Sequence, residues 1–236
     1  MENYSNVDYY GEFHKYATKH LGVSGMQMMA WEQTQNRIYG PSASLTPYIL
    51  EERDMRSVTQ MDIFSRLMMD RILWVAGVVN DMMSTVVQAQ LMFLDNLDSS
   101  DITMHIDTPG GSVKSGLSMI DVMEYITSDI VTINTGMSAS MGSVLLGAGT
   151  KGKRLTLPSS KVMLHQVSAG AEGTVQDMRI SMGETEKYND ILFDKLGSYC
   201  GKTAKQIKKD ADRDLWLDAD KSIKYGLVDE IVRNKK

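Results

Sequence analysis

Cysteine is nearly absent: Cys200 stands alone in 236 residues. A disulfide framework is thereby excluded, as is a cysteine-based zinc or iron–sulfur centre, and a reducing compartment fits. With only four prolines, long proline-rich linkers are excluded too. No stretch approaches the ~18 consecutive apolar residues of a membrane-spanning helix. The start, Met1-Glu2-Asn3-Tyr4, has neither the basic patch nor the apolar run of a secretory signal. The expectation is a cytoplasmic protein with no membrane partner. Basic charge is not in excess either. The formal net charge is −5, which argues against nucleic acid as a partner. Charged residues make up 23% and apolar residues 42%, so the chain can bury a core and is not of the disordered class. Methionine is the residue in excess, at 19. At about 150 residues per domain, the length allows one large domain or a domain and a half.

The first 43 residues differ from the rest. They carry Tyr4, Tyr9, Tyr10, Phe13, Tyr16, Trp31 and Tyr39 without a strand pattern, and Phe13, Tyr16, Ala17 and Leu21 predict a short amphipathic helix. Gly40-Pro41-Ser42 is a break signal. Residues 1–43 are therefore read as an extension and 44–236 as one domain. In that domain 71–77 reads as a buried strand and 81–98 as a helix capped by Asn80 or Asp81. Residues 101–107 alternate as a strand, 112–127 are helical, and 130–134 form a strand. A small-residue helix covers 140–148, and strands cover 153–157 and 162–166. A long helix spans 174–200 and another 203–211, followed by a short strand, a turn of helix and 227–232. Strands alternating with helices predict an α/β fold of repeated βαβ units with a mostly parallel sheet.

In such sheets ligands bind where strand C-termini run into helices. Two loops occupy such places. In Gly136-Met137-Ser138-Ala139-Ser140-Met141-Gly142, Ser140 sits where a nucleophile elbow would hold its serine, although Ser138 replaces the first glycine of the strict pattern. Ser138 is the rival. From this loop alone, a nucleophile and a serine that merely caps a helix are equally supported. In Asp107-Thr108-Pro109-Gly110-Gly111, the glycines can expose backbone N–H groups as half of an oxyanion hole. Taken alone, an ordinary Pro-Gly turn is the simpler reading.

A serine nucleophile needs a base, and there are four histidines. His14 and His20 fall in the extension, and His105 lies mid-strand. His165 ends a strand and is the best base by elimination. The acid orienting it lies among Asp210, Asp212 and Asp214, and composition does not choose between them. The order Ser, His, Asp disfavours the α/β-hydrolase fold.

At this point the residues resemble a known family. Thr108-Pro109-Gly110-Gly111-Ser112-Val113, Met137-Ser138-Ala139-Ser140-Met141-Gly142-Ser143, Lys151-Gly152-Lys153-Arg154, Val162-Met163-Leu164-His165-Gln166, Asp212-Arg213-Asp214 and Tyr225-Gly226-Leu227-Val228-Asp229 are similar, in this order, to the proteolytic subunits of bacterial Clp proteases (ClpP, peptidase family S14). Asp62-Ile63-Phe64-Ser65-Arg66-Leu67 resembles the family's N-terminal signature. The resemblance runs from about residue 45 to 232.

The resemblance implies a ClpP/crotonase-like fold with a protruding helix–strand handle built from 167–173 and the long helix. It implies a serine endopeptidase with Ser140 as nucleophile, His165 as general base and Asp214 as orienting acid. Gly111 and Met141 would supply the oxyanion N–H groups. Gly110, Ser112 and Val113 on one side, and Val167 and Ser168 on the other, would bind the peptide as an added strand. Two stacked homomeric heptameric rings would enclose unfolded polypeptide fed by an AAA+ ATPase, the unfoldase. Asp212 and Arg213 would contact the opposite ring. No metal or other cofactor is implied.

Three departures stand beside it. Gln166-Val167-Ser168-Ala169-Gly170 replaces the family's usual Pro after Gln and its paired glycines, which bears on the ring–ring contacts. Thr103, His105 and Thr135 occupy usually aromatic positions of the unfoldase cleft, where Tyr125, Leu155 and Leu157 keep apolar character. The extension exceeds the usual pre-segment, and Ala43-Ser44-Leu45-Thr46-Pro47 resembles a mature start, so cleavage near Ala43 is expected. Two other readings stand beside this one. A crotonase-type acyl-CoA enzyme would use Glu or Asp and not a Ser–His pair. A non-catalytic ring subunit pairing with an active paralogue would have no need of a complete triad. The methionines Met82, Met83, Met92, Met119 and Met123 are expected to fill core or subunit contacts. Met26, Met28 and Met29 fall in the extension.

Overall fold

The computed structural model describes residues 48–54 and 57–233. The expected helix at 13–21, the break at 40–42 and the cleavage near Ala43 lie outside them. The chain divides into two units, one ending at Ile63 and one beginning at Phe64. The first contains an antiparallel hairpin, β1 (Tyr48–Asp54) and β2 (Ser57–Asp62), with Tyr48 opposite Asp62 and an irregularity between Glu52 and Asp54. This hairpin was not legible beforehand, because Glu51, Glu52, Arg53, Asp54 and Arg56 hide any apolar alternation.

After the hairpin the chain runs α1 (Ile63–Met69), all but its first residue in the second unit, then β3 (Ile72–Ala76), α2 (Asp81–Leu97), β4 (Ile102–Thr108), α3 (Val113–Tyr125) and β5 (Ile130–Ala139). It continues with α4 (Met141–Gly147), β6 (Arg154–Thr156), β7 (Lys161–Leu164), α5 (Val175–Cys200), α6 (Ala204–Asp210), β8 (Leu215–Leu217), α7 (Ala219–Tyr225) and β9 (Glu230–Ile231). Strands β3, β4, β5, β6 and β9 lie side by side, all parallel. This is the mixed α/β fold with a mostly parallel sheet that the βαβ alternation predicts. The far end of β5 passes β6 and pairs with β7, placing Met137, Ser138 and Ala139 opposite Lys161, Val162 and Met163. Strand β8 then adds to β7 in antiparallel fashion.

Helix starts follow from side-chain caps. Asn80 accepts from the Met83 N–H, Ser112 from Ser115, Thr174 from Asp177 and Asp218 from Lys221. Helix α5 stops at Gly201, whose φ of 65° suits glycine. Leu91, Leu94, Met119, Ile120, Leu145 and Leu146 pack from helices α2, α3 and α4 onto Leu73, Met104 and Ile106 of the sheet. Fully burying each such side chain contributes about 1.5–3 kcal/mol.

One expectation is overturned. Residues 71–77 are not a buried strand: β3 is the sheet edge, with Leu73 and Val75 inward and Trp74 and Ala76 outward. Of the methionines expected in core or subunit contacts, Met119 and Met123 lie in the core, and Met82 and Met92 are exposed on the single chain. The long helix of the expected handle is α5, and 166–173 is without regular structure in the single chain. A strand needs a hydrogen-bonded neighbour, and this segment has none in a single chain. No helix among the described residues is long and apolar enough to cross a membrane.

Candidate active site

The end of β5 delivers Ser140 to a sharp turn. Its φ of 54° and ψ of −122° are unusual for a residue with a side chain. Such a conformation costs about 1–3 kcal/mol and persists only when its surroundings enforce it. The surroundings do so here. The Ser140 N–H donates to the Met163 carbonyl on β7 at 2.9 Å, and the Ser140 carbonyl accepts from the Ser143 N–H at 3.0 Å and the Ser143 hydroxyl at 2.7 Å. The turn leaves Ser140 Oγ 2.8 Å from His165 Nε2. The rival serine behaves differently. Ser138 is 0% exposed, and its hydroxyl has no hydrogen-bond partner among the described residues.

His165 leaves the end of β7. Asp214 enters β8, whose Leu215 lies opposite Leu164, so antiparallel pairing of two short strands brings the carboxylate alongside the imidazole. Asp214 Oδ1 stands 3.7 Å from His165 Nδ1, and the Asp214 side chain is 61% exposed. That separation permits charge attraction but is too long for a hydrogen bond. Ser140 and His165 are thus joined, whereas the contact to Asp214 is open. Asp210 is held elsewhere, where it accepts from Tyr225 and Gln206.

The glycine loop approaches from β4. The Gly110 N–H donates to Thr108 Oγ1 at 3.0 Å, and the Gly110 carbonyl accepts from the Val79 N–H at 2.9 Å. Gly110 and Gly111 have φ of 92° and 150°, values that side chains rarely adopt. A Cβ on Gly110 would lie 2.6 Å from Ser140 Cβ, and one on Gly111 would strike the Val79 carbonyl. Glycine at both positions lets the loop pass directly beside Ser140. The N–H groups of Gly111 and Met141 have no acceptor among the described residues.

A cavity of about 50 Å³ opens beside Ser140 and His165. Val113, Val144, Val167, Leu192, Phe193 and Leu196 form its apolar wall, while Gly111, Met141 and Ser168 also line it. Gly110 and Ser112 flank it, but the Ser112 hydroxyl is engaged by Ser115 as the cap of α3. Arg213 and Asp212 are exposed. The Arg213 guanidinium donates to the Asp212 carbonyl at 2.7 Å, and Gln166 Nε2 reaches the same carbonyl at 3.4 Å. No cluster of three or more metal-binding side chains occurs among the described residues.

The residues expected at the unfoldase cleft are only partly gathered. Thr103, His105, Thr135 and Leu155 are half-buried on the sheet strands. Register aligns Trp74, His105, Ile133 and Leu155 in one row across four strands. The Trp74 and His105 rings stack at 4.7 Å and 12°. Burial pushes the His105 pKa down, and its Nδ1 has no partner among the described residues. Tyr125 ends α3, 78% exposed, and Leu157 follows β6. Trp74 joins this row, a place that a wholly buried strand over 71–77 does not give it. Its alternation with Leu73 and Val75 was the available signal.

Comparison with known proteins completes the description. A sequence profile of the Clp protease family matches residues 55–235. The ATP-dependent Clp protease proteolytic subunit of Bacteroides fragilis (strain YCH46) is 44% identical over 225 residues, covering 95% of this chain and 99% of that one. That of Porphyromonas gingivalis is 44% identical over 227 residues, with 95% and 99% covered. The subunit of Streptococcus pyogenes is also 44% identical, over 195 residues, with 81% of this chain matching 99% of that one.

Proposed function

The chain belongs to the Clp protease family, and we propose that its serine endopeptidase activity runs through Ser140, His165 and Asp214. The observation that carries this reading is the 2.8 Å contact between Ser140 Oγ and His165 Nε2 at a strained turn. His165 takes the hydroxyl proton as Ser140 Oγ attacks the peptide carbonyl carbon. The N–H groups of Gly111 and Met141 receive the resulting oxyanion, each such donor contributing about 10²–10³-fold in rate. His165 then returns the proton to the leaving amine, whose bond to the carbonyl carbon breaks. Water, deprotonated by His165, releases the acyl group from Ser140. Asp214 closes on His165 Nδ1 to hold the imidazole and stabilise its charged form. Catalytic hydrogen bonds are often long before substrate binds, so the 3.7 Å separation is compatible with this role.

The relatives' name, a proteolytic subunit of an ATP-dependent protease, supports oligomeric assembly with an ATPase. In our reading the assembly is two stacked heptameric rings in the cytoplasm, fed unfolded polypeptide by an AAA+ unfoldase. The row of Trp74, His105, Ile133 and Leu155, with Thr103, Thr135, Tyr125 and Leu157, is the proposed docking surface. Asp212 and Arg213 reach the opposite ring, and their position directly before Asp214 couples assembly to triad closure. Residues 1–43 act as a removable extension, and residues 44–236 form the peptidase domain.

The test is peptide hydrolysis by the purified chain, with Ser140→Ala and His165→Ala as controls. Hydrolysis lost in both variants is the expected result. Activity surviving in Ser140→Ala, or no activity in the assembled parent, refutes the assignment. Arg213→Ala should lose the double ring and activity together. Lost activity with full assembly and an undisturbed triad would sever that link.

A further inference from the structure

The cavity beside Ser140 takes part of its wall from residues 166–173, which have no regular structure. Besides the long Gln166 Nε2 contact to the Asp212 carbonyl, a shorter hydrogen bond ties the start of this loop to α5. The Val167 N–H donates to Asn189 Oδ1 at 3.0 Å, between residues 22 apart in sequence. Asn189 lies on α5 one turn before Leu192 and Phe193 and two turns before Leu196, so all four share a helix face. The last three line the cavity together with Val167 and Ser168. Val167 also packs against the core. The bond therefore registers the loop on the same face of α5 that walls the site. The chemistry at Ser140 and His165 gives Asn189 no other task.

We propose that Asn189 is a positioning residue for the peptide substrate, an inference that rests on the endopeptidase reading above. When this segment pairs with a substrate strand it is extended, and successive backbone groups then face alternate sides. With the Val167 N–H committed to α5, the N–H and C=O of Ser168 are the groups left to face a peptide lying opposite Gly111 and to add to its main-chain hydrogen bonds. Removing the acceptor leaves the half-buried Val167 N–H unsatisfied. The loop then leaves this register, and a peptide must order it on binding. A small acylating agent that reaches only Ser140 does not depend on the loop.

The experiment compares two readouts on the purified full chain. One is KM and kcat for an extended fluorogenic peptide. The other is the rate of Ser140 acylation by a small fluorophosphonate. Asn189→Ala should raise KM about 3- to 10-fold, the scale of one lost hydrogen bond. It should leave kcat and the fluorophosphonate rate within about twofold of the parent. Asn189→Asp keeps the acceptor oxygen and should retain the parent KM. Val167→Pro removes the N–H itself, so in that background Asn189→Ala should add less than about twofold. An unchanged KM in Asn189→Ala overturns the proposal. So does an equal rise in both backgrounds, or a parallel fall in acylation rate. If Val167→Pro does not fold, the alanine and aspartate variants decide, and equal KM values for the two overturn it. A parent chain that takes no label refutes the peptidase reading instead, which keeps the two failures distinct.

Discussion

Replacing Gly110 with alanine tests how closely the glycine loop positions Ser140. The new Cβ would lie 2.6 Å from Ser140 Cβ, 2.8 Å from the Ala139 carbonyl oxygen and 2.9 Å from the Met141 nitrogen. Ordinary carbon–carbon contact begins at about 3.5 Å, so something must move by about 1 Å. Gly110 cannot easily yield, because its N–H is held by Thr108 Oγ1 and its carbonyl by the Val79 N–H. The turn at Ser140 and Met141 must shift instead, and that turn carries both the nucleophile and one oxyanion donor in our reading. A misplacement of this size costs about 10²-fold in rate. Alanine at a φ of 92° adds strain of about 1–3 kcal/mol. For a domain of this size that lowers Tm by about 2–4 °C per kcal/mol. Gly152→Ala separates the two effects. Its φ is 88°, and nothing lies within 4 Å of the new Cβ. Peptide hydrolysis, fluorophosphonate acylation and thermal melting should therefore show both variants less stable and only Gly110→Ala slow. If Gly110→Ala stays within about threefold of the parent in both rates, the steric argument is wrong.

Three further predictions follow from other parts of the structure. Asp229 accepts from the Gly152 and Arg154 N–H groups and from both Nε and Nη2 of Arg154, whose side chain is 4% exposed. Asp229→Ala strands that guanidinium and should cost about 3–5 kcal/mol by denaturant unfolding, and a loss below about 1 kcal/mol would contradict this. Ser138→Ala removes a buried hydroxyl that has no partner among the described residues, so Tm should hold or rise with hydrolysis intact, and a fall in either would show that the hydroxyl has a partner. Burial lowers the His105 pKa below 6.5, so the unfolded chain takes up the proton first as pH falls. That stability is present above pH 6.5 and declines below it. Melting at pH 7.5 and 5.5 should show a smaller acid loss in His105→Phe than in the parent, and equal losses would refute the effect.

The parts legible in the sequence were those written locally. Helices α2, α3 and α5 lie close to their expected bounds, and of the two caps offered for α2, Asn80 or Asp81, the structure uses Asn80. The site depended on pairings that no local pattern records. Strand β5 was read only to Asn134, because its last residues are held by β7, a partner more than twenty residues downstream. The family resemblance singled out Ser140 over Ser138; the positive φ of Ser140 and the full burial of Ser138 support that proposal, and a string of small residues reveals neither. Asp214 could not be separated from Asp210 and Asp212 by composition. The β7–β8 ladder places it beside His165, and only the family resemblance had singled it out. Asn189 escaped notice because a polar residue on a long polar helix carries no signal until the loop at Val167 folds against it.

The most direct measurement is intact and peptide-level mass spectrometry of the purified chain after fluorophosphonate treatment. One covalent adduct is expected, located on Ser140, absent in Ser140→Ala and strongly slowed in His165→Ala. An adduct that persists in Ser140→Ala, or a parent chain that hydrolyses peptides without acquiring one on Ser140, would contradict the Ser140 assignment.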